Sequence, residues 1–202
     1  MQARYGRAGF GVRFLSGLHV IVLTACGGSV LPDKGADSID AAVNGDALAS
    51  NLDGVSVSFG VYCCSSPLFP SDLVGNESTA TVGSVPNGAP LFPEISGTND
   101  SNYVVPANVY VGASSIAIDF LSFSPLTEGA FDGYVFTFSS ATPSPTPWIV
   151  GATLDAESSF TKSQVIVTVP NSNTVCINAS GISVTPQSVI VVDLVLAAPG
   201  ER

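Results

Sequence analysis

The chain has 202 residues, sixteen acidic and six basic side chains, a formal charge of −10 and a hydrophobic content of 46%. Phosphate binding needs clustered Lys and Arg, so nucleic acid is excluded as a natural partner, and electrostatic attachment to anionic lipid falls on the same ground. The length allows a leader and one ordinary domain able to bury about two-thirds of its unfolded surface.

The first element is a leader. Arg4, Arg7 and Arg13 precede a short apolar run over 14–22, and the run ends in Leu23-Thr24-Ala25-Cys26-Gly27. A charged start, a short apolar stretch and a small-residue cleavage site define a secretory signal over residues 1–25. About ten apolar residues fall short of the twenty or so that cross a bilayer. The tetrapeptide Leu23 to Cys26 resembles the lipobox of bacterial lipoproteins. That resemblance implies thioether lipidation of Cys26, cleavage just before it, and a membrane partner reached through the N-terminal lipid. With Gly27 rather than an aspartate after the cysteine, it also implies the bacterial cell envelope, at the outer membrane. Cleavage would discard the one histidine, His19, and leave Lys34, Lys162 and Arg202 against all sixteen acids, a formal charge of −13.

Residues 26–53 hold the lipidated cysteine and a stretch rich in Gly, Ala, Ser, Asp and Asn. Its few large apolar side chains cannot offset the entropy of ordering, so it reads as a flexible linker. A short helix over 39–52 would be interrupted by Gly45 and marginal in isolation. A domain over 54–198 follows, with a tail at 199–202.

That domain is written in period two. Val55, Val57, Phe59 and Val61 alternate with Ser56, Ser58, Gly60 and Tyr62, placing the apolar set on one face of a strand. The same alternation predicts half-buried strands at Ile116, Ile118 and Phe120, at Tyr134, Phe136 and Phe138, and at Val165, Val167 and Val169. Residues 189–196 are nearly all apolar and predict a central strand covered on both sides. Weaker strands are expected over 79–82, 108–111, 148–154, 174–177 and 182–185. Turn residues stand between them at Pro86-Asn87-Gly88, Gly97-Thr98-Asn99-Asp100, Asp132-Gly133 and Asn171-Ser172-Asn173. Many short strands without a helical window predict an all-β fold, a single antiparallel two-sheet β-sandwich. An outer-membrane barrel would need longer strands and aromatic girdles, which this pattern lacks.

The succession Ser115 to Phe120, Ala130 to Phe136, Ile149 to Asp155, Val175 to Asn178 with Ser180 to Ser183, and Val191 to Leu194 resembles the β-rich domain of secreted bacterial proteins of the PEP-CTERM kind. The similarity covers roughly residues 103–196 and implies fold and export, with no activity attached. The chain departs from that kind in ending Ala197-Ala198-Pro199-Gly200-Glu201-Arg202, without a sorting helix.

With Cys26 taken by lipid, Cys63, Cys64 and Cys176 remain in an oxidising compartment, and three thiols cannot all pair. Cys63 and Cys64 face opposite ways on a strand, so one of them could reach Cys176. Such a bridge closes a loop of more than a hundred residues and contributes about 4 kcal/mol in the chain-entropy model. Cys63 shares the inward parity of Val57, Phe59 and Val61, which makes Cys63–Cys176 the expected disulfide. Cys64 is the alternative partner, and a vicinal Cys63–Cys64 bridge the remaining pairing. Three thiols without a histidine do not make a zinc site.

For catalysis, no residue set is assigned. A mature chain without histidine has no Ser-His or Cys-His pair. Ser159-Phe160-Thr161-Lys162 has the Ser-x-x-Lys spacing but none of the companion motifs. Asp119, Asp132, Asp155, Glu157 and Asp193 could serve a glycosidase, which needs two carboxylates across a cleft. Asp119 and Asp193 read more simply as wet strand residues, and Asp155 and Glu157 as a turn cap. Cofactors are expected to be none, or calcium, for which Asn99, Asp100 and Asn102 are the densest oxygen ligands, though they lack the alternating aspartates of a dedicated loop. Three N-x-S sequons, at Asn76, Asn99 and Asn178, matter only in a eukaryotic secretory pathway. Trp148, after Ser144-Pro145-Thr146-Pro147, could offer a platform to a sugar. The expected function is a non-enzymatic, lipid-anchored envelope surface protein, a binding or structural module whose partner is a glycan or an envelope protein. A carboxylate-dependent envelope enzyme, such as a glycoside-active hydrolase, is the alternative.

Overall fold

The computed structural model describes residues 51–64, 69–99, 102–140 and 148–197. The expected leader 1–25, the expected lipidation site Cys26, nearly all of the expected linker, Asp100, the side chain of Trp148 and the tail 199–202 lie outside the described residues.

Twelve strands follow one another among the described residues: β1 (Val55–Cys64), β2 (Leu73–Thr81), β3 (Phe92–Ile95), β4 (Ala107–Val111), β5 (Ser115–Phe120), β6 (Ser124–Pro125), β7 (Phe131–Ser140), β8 (Trp148–Leu154), β9 (Ile166–Asn171), β10 (Thr174–Asn178), β11 (Ser183–Val184) and β12 (Val189–Ala197). They form two five-stranded antiparallel sheets, ordered β2-β1-β7-β10-β9 and β3-β4-β5-β12-β8, with β6 and β11 paired separately. The sheets pack face to face as a sandwich. Helix is limited to one 3-10 turn, Pro70–Asp72, among the described residues.

Alternation decides which side chains meet. Val57, Phe59 and Val61 of β1 stand opposite Phe138, Phe136 and Tyr134 of β7, all turned inward. Val175 and Ile177 of β10 extend this face, and Val109, Ile116, Ile118, Phe120, Ile190 and Val192 of the second sheet close onto it. Phe59 joins the two layers: its ring centroid lies 5.2 Å from Phe92 of the opposite sheet and 5.0 Å from Phe136 of its own. Burying apolar area of this kind, at about 25 cal/mol per Å², drives the association of the sheets.

The structure corrects two expectations and bears out a third. Strand β12 is internal to its sheet but covered on one face only: Ile190, Val192 and Leu194 are buried, whereas Asp193 and Val195 are exposed. The valines of its outer face supplied the apolar run that suggested cover on both sides. The half-buried strand expected at Val165, Val167 and Val169 is found as edge strand β9, with Val165 in the core just before it, Val167 and Val169 packed against the core and the residues between them facing solvent. Asp132-Gly133 is not a turn but part of β7, and a β-carbon at Gly133 would run into the Ile177 carbonyl of β10.

Candidate functional site

At one end of the sandwich, where β1 finishes and β7 begins, the inner face of the first sheet turns polar at Asp132. The inward sequence of β7, read toward its start, is Phe138, Phe136, Tyr134 and Asp132. Asp132 and Tyr134 reach a cavity of about 220 Å³, walled on its apolar side by Val61, Val105, Pro125 and Leu126 and on its polar side by Asn102, Tyr103 and Thr127.

Two loops complete the site. The segment after β3 is held against β2 because Gly75 and Gly97 let the two backbones touch: a β-carbon on Gly97 would lie 2.8 Å from the Gly75 Cα. Gly75 also has φ +80°, a left-handed conformation that favours glycine. Asn99 then closes the turn, its Oδ1 accepting the Asn102 N–H at 2.9 Å and its Nδ2 donating to the Leu73 carbonyl at 3.3 Å, and Thr98 bridges to Tyr103. Tyr103 stands exposed at the rim with its hydroxyl 2.8 Å from Ser124 Oγ, which donates on to the Pro125 carbonyl. The second loop, 126–130, is fastened by Asn178 and Ser180. Asn178 Nδ2 donates to the Ala130 carbonyl at 3.0 Å, its Oδ1 accepts the Asp132 N–H at 3.2 Å, and Ser180 Oγ accepts the Gly129 N–H at 2.8 Å.

Asp132 is 8% exposed and Tyr134 1%. Burial pushes the Asp132 carboxyl above its ordinary range, opposed by the Thr127 main-chain N–H that donates to Oδ2 and by the Thr127 hydroxyl. Burial also pushes the Tyr134 hydroxyl far up, and the neighbouring Asp132 charge adds to this. The Tyr134 ring packs against Phe59 and Phe120, at centroid distances of 6.1 and 6.3 Å, so only its hydroxyl remains for the cavity. That hydroxyl has no hydrogen-bond partner among the described residues. No buried polar side-chain atom there lacks both a partner and exposure, so the hydroxyl opens onto the cavity.

The expected Cys63–Cys176 disulfide is overturned. Cys63 is bonded to Cys64, and Cys176 is a buried free thiol. Cys63 does face the core, opposite Asp132, but Cys176 pairs with Val135 and shares the outer face of the same sheet with Tyr62, Phe131 and Val135. Two cysteines on opposite faces of one sheet cannot meet. Burial raises the Cys176 thiol, with the Thr168 side chain opposing. The vicinal pair ends β1 at the site, with Cys64 Sγ 3.7 Å from the Asn102 side-chain oxygen.

The other expected residues are dispersed. Asn99 spends its side-chain oxygen on the turn, and among the described residues no three His, Cys, Asp or Glu side chains converge on a metal position. Trp148, the first residue of β8, pairs through its backbone with Ala197 of β12. Asp155 caps its turn, and the Glu157 N–H donating to Oδ1 at 2.6 Å is the main reason its carboxyl lies below the ordinary range. Asp193 is raised by lost hydration and by Asp155, with which it shares a hydrogen bond on the outer surface. A pair in direct contact lacks the 5 Å or more, roughly, that glycosidase carboxylates require. Ser159 Oγ accepts the Val189 N–H at 2.9 Å, while Lys162 lines a separate hollow beside β8. A larger recess of about 340 Å³ lies between β2 and β3, lined by Phe59, Phe92 and neutral groups such as Ser78 and Thr79, with Glu94 as its one charged group.

Compared with protein-family models, with curated proteins and with solved structures, the chain matches none.

Proposed function

We propose that the chain is an exported, lipid-anchored binding module of a bacterial envelope, tethered at Cys26 and recognising a small ligand or the end of a larger one in the cavity beside Tyr103. The observation that carries the binding reading is the pair of almost fully buried polar groups, the Asp132 carboxyl and the Tyr134 hydroxyl, that line that cavity. Desolvating a carboxyl and a hydroxyl costs stability that an apolar pair at the same inward positions would not, so the arrangement is supported better by use than by packing. Exposed Tyr103 and Phe123 offer apolar surface at the same end. Anchoring rests on the tetrapeptide Leu23 to Cys26.

Both halves are testable on the full chain. Expressed in a Gram-negative host, the protein partitions into detergent with the membranes, and Cys26→Ser releases it or blocks its processing. An intact mass without acyl chains overturns the anchor. For binding, ligand-observed NMR with a fragment and glycan library gives hits that Tyr134→Phe or Tyr103→Ala weakens. A library whose hits ignore both variants, or that gives none, overturns the module.

A further inference from the structure

We infer that the cavity at the start of β7 is a receptor for a primary ammonium group, which donates to the Asp132 carboxylate, the Tyr134 hydroxyl and the Asn102 side-chain oxygen. The inference rests on the binding reading above and names its ligand chemistry.

Charge is the first reason. Asp132 is 8% exposed, and among the described residues no cation stands against it: Lys162, the one basic side chain there, lies in the hollow formed with Ala152, Thr153 and Leu154 of β8. The donors that reach the carboxyl are the neutral Thr127 N–H and hydroxyl. A buried carboxylate is ordinarily paired, and here the cavity is the place from which a partner can come. Geometry supplies the second reason. Tyr134 is 1% exposed and its hydroxyl, without a partner among the described residues, opens into the same cavity. An ammonium group has three donors and no acceptor, which matches the carboxylate, hydroxyl and amide oxygens of Asp132, Tyr134 and Asn102, all residues that line the cavity.

Other occupants fit less well. A divalent cation such as calcium seeks six to eight oxygens, several of them charged, and the cavity supplies a single carboxylate. A quaternary ammonium is held over ring faces, but the Tyr134 ring is packed between Phe59 and Phe120 and presents only its edge oxygen. An anion meets Asp132 at close quarters and is repelled.

Two sources carry this group in an envelope, an amino sugar and a peptide amino terminus, and the test separates them. Glucosamine and glycinamide are titrated into the full chain at neutral pH against their hydroxyl counterparts, glucose and glycolamide, while the ring resonances of isotopically labelled Tyr134 and Tyr103 are followed. At least one amine shifts the Tyr134 resonance with an affinity tenfold or more above its hydroxyl counterpart, and the better amine identifies the source. Asp132→Asn abolishes that preference, and Tyr134→Phe, which keeps the ring packing, weakens amine binding about fivefold, the effect of one hydrogen bond. An amine preference that survives Asp132→Asn, or binding of both amines no tighter than that of their hydroxyl counterparts, overturns the ammonium inference and leaves a binding cavity standing. If no amine moves Tyr134 while fragments from the library do, the ammonium inference again falls alone. If nothing moves it, the cavity holds solvent only and both readings fall.

Discussion

Phe59→Ala tests the sandwich at the point where its layers touch. The side chain is 3% exposed and lies between Phe92 of one sheet and Phe136 and Tyr134 of the other, with centroid distances of 5.2, 5.0 and 6.1 Å. Truncating a buried Phe costs about 3–5 kcal/mol through lost transfer energy and the cavity left behind, and the aromatic pairs here place it toward the upper end. Against a total of about 5–15 kcal/mol, that removes a large part of the stability. For a domain near 150 residues, at about 2–4 °C per kcal/mol, Tm falls by about 10 °C or more. The control is Phe123→Ala, whose side chain is 73% exposed and whose loss stays within about 0.5 kcal/mol. Urea unfolding followed by far-ultraviolet circular dichroism measures both. A loss below about 1 kcal/mol for Phe59→Ala, or equal losses for the two variants, refutes the packing of the sheets across this ring.

Gly133→Ala pushes a β-carbon into the Ile177 carbonyl, so the β7–β10 pairing shifts and stability drops by more than about 2 kcal/mol; a neutral result in the same urea assay contradicts the register. Non-reducing peptide mapping finds Cys63 and Cys64 joined within one peptide and Cys176 alkylated only after unfolding, whereas a crosslink to Cys176 reverses the assignment. Asp132 has a folded pKa raised above its unfolded value, so its contribution is fully present below the unfolded carboxyl pKa, about 4, and is lost as pH rises through the folded one. Asp132→Asn therefore gains stability relative to wild type as pH is raised from about 4, and a pH-independent difference in Tm speaks against the buried carboxyl.

Strands were legible where one face is dry. In β5 and over Val55 to Phe59 of β1 the apolar residues recur every second position, buried under the facing sheet, while the residues between them are less buried. The start of β2 escaped notice because this edge strand, over Asn76 to Thr79, exposes both faces and carries polar residues on each. Strand β3 escaped because only Phe92 and Ile95 pair with β4, while Pro93 and Glu94 between them bulge, Glu94 at φ 45°. At the site, Asn102 and Tyr103 belong to a loop whose position depends on the Gly75–Gly97 contact, residues twenty-two apart. No local pattern announces that meeting.

Parity accounts for both the disulfide and the site. Cys63 could be assigned inward from β1 alone, but pairing it with Cys176 required the parity of a second strand, and the alternation of Val175, Cys176 and Ile177 is invisible when all three are apolar. The same strand logic carried a signal at Asp132. Counted with Tyr134, Phe136 and Phe138, it occupies a core position, and a carboxylate at a core position breaks the rule that the rest of β7 obeys. Reading Asp132-Gly133 as a turn concealed that conflict. Local rules fail most often where function overrides packing, and here the failure falls beside the cavity, opposite Cys63, at the strand start that follows the loop fastened by Asn178 and Ser180. An aspartate kept for structure alone would need nothing from the cavity, whereas the proposed ammonium partner would make the inward face of β7 a recognition surface at its first turn of the alternation.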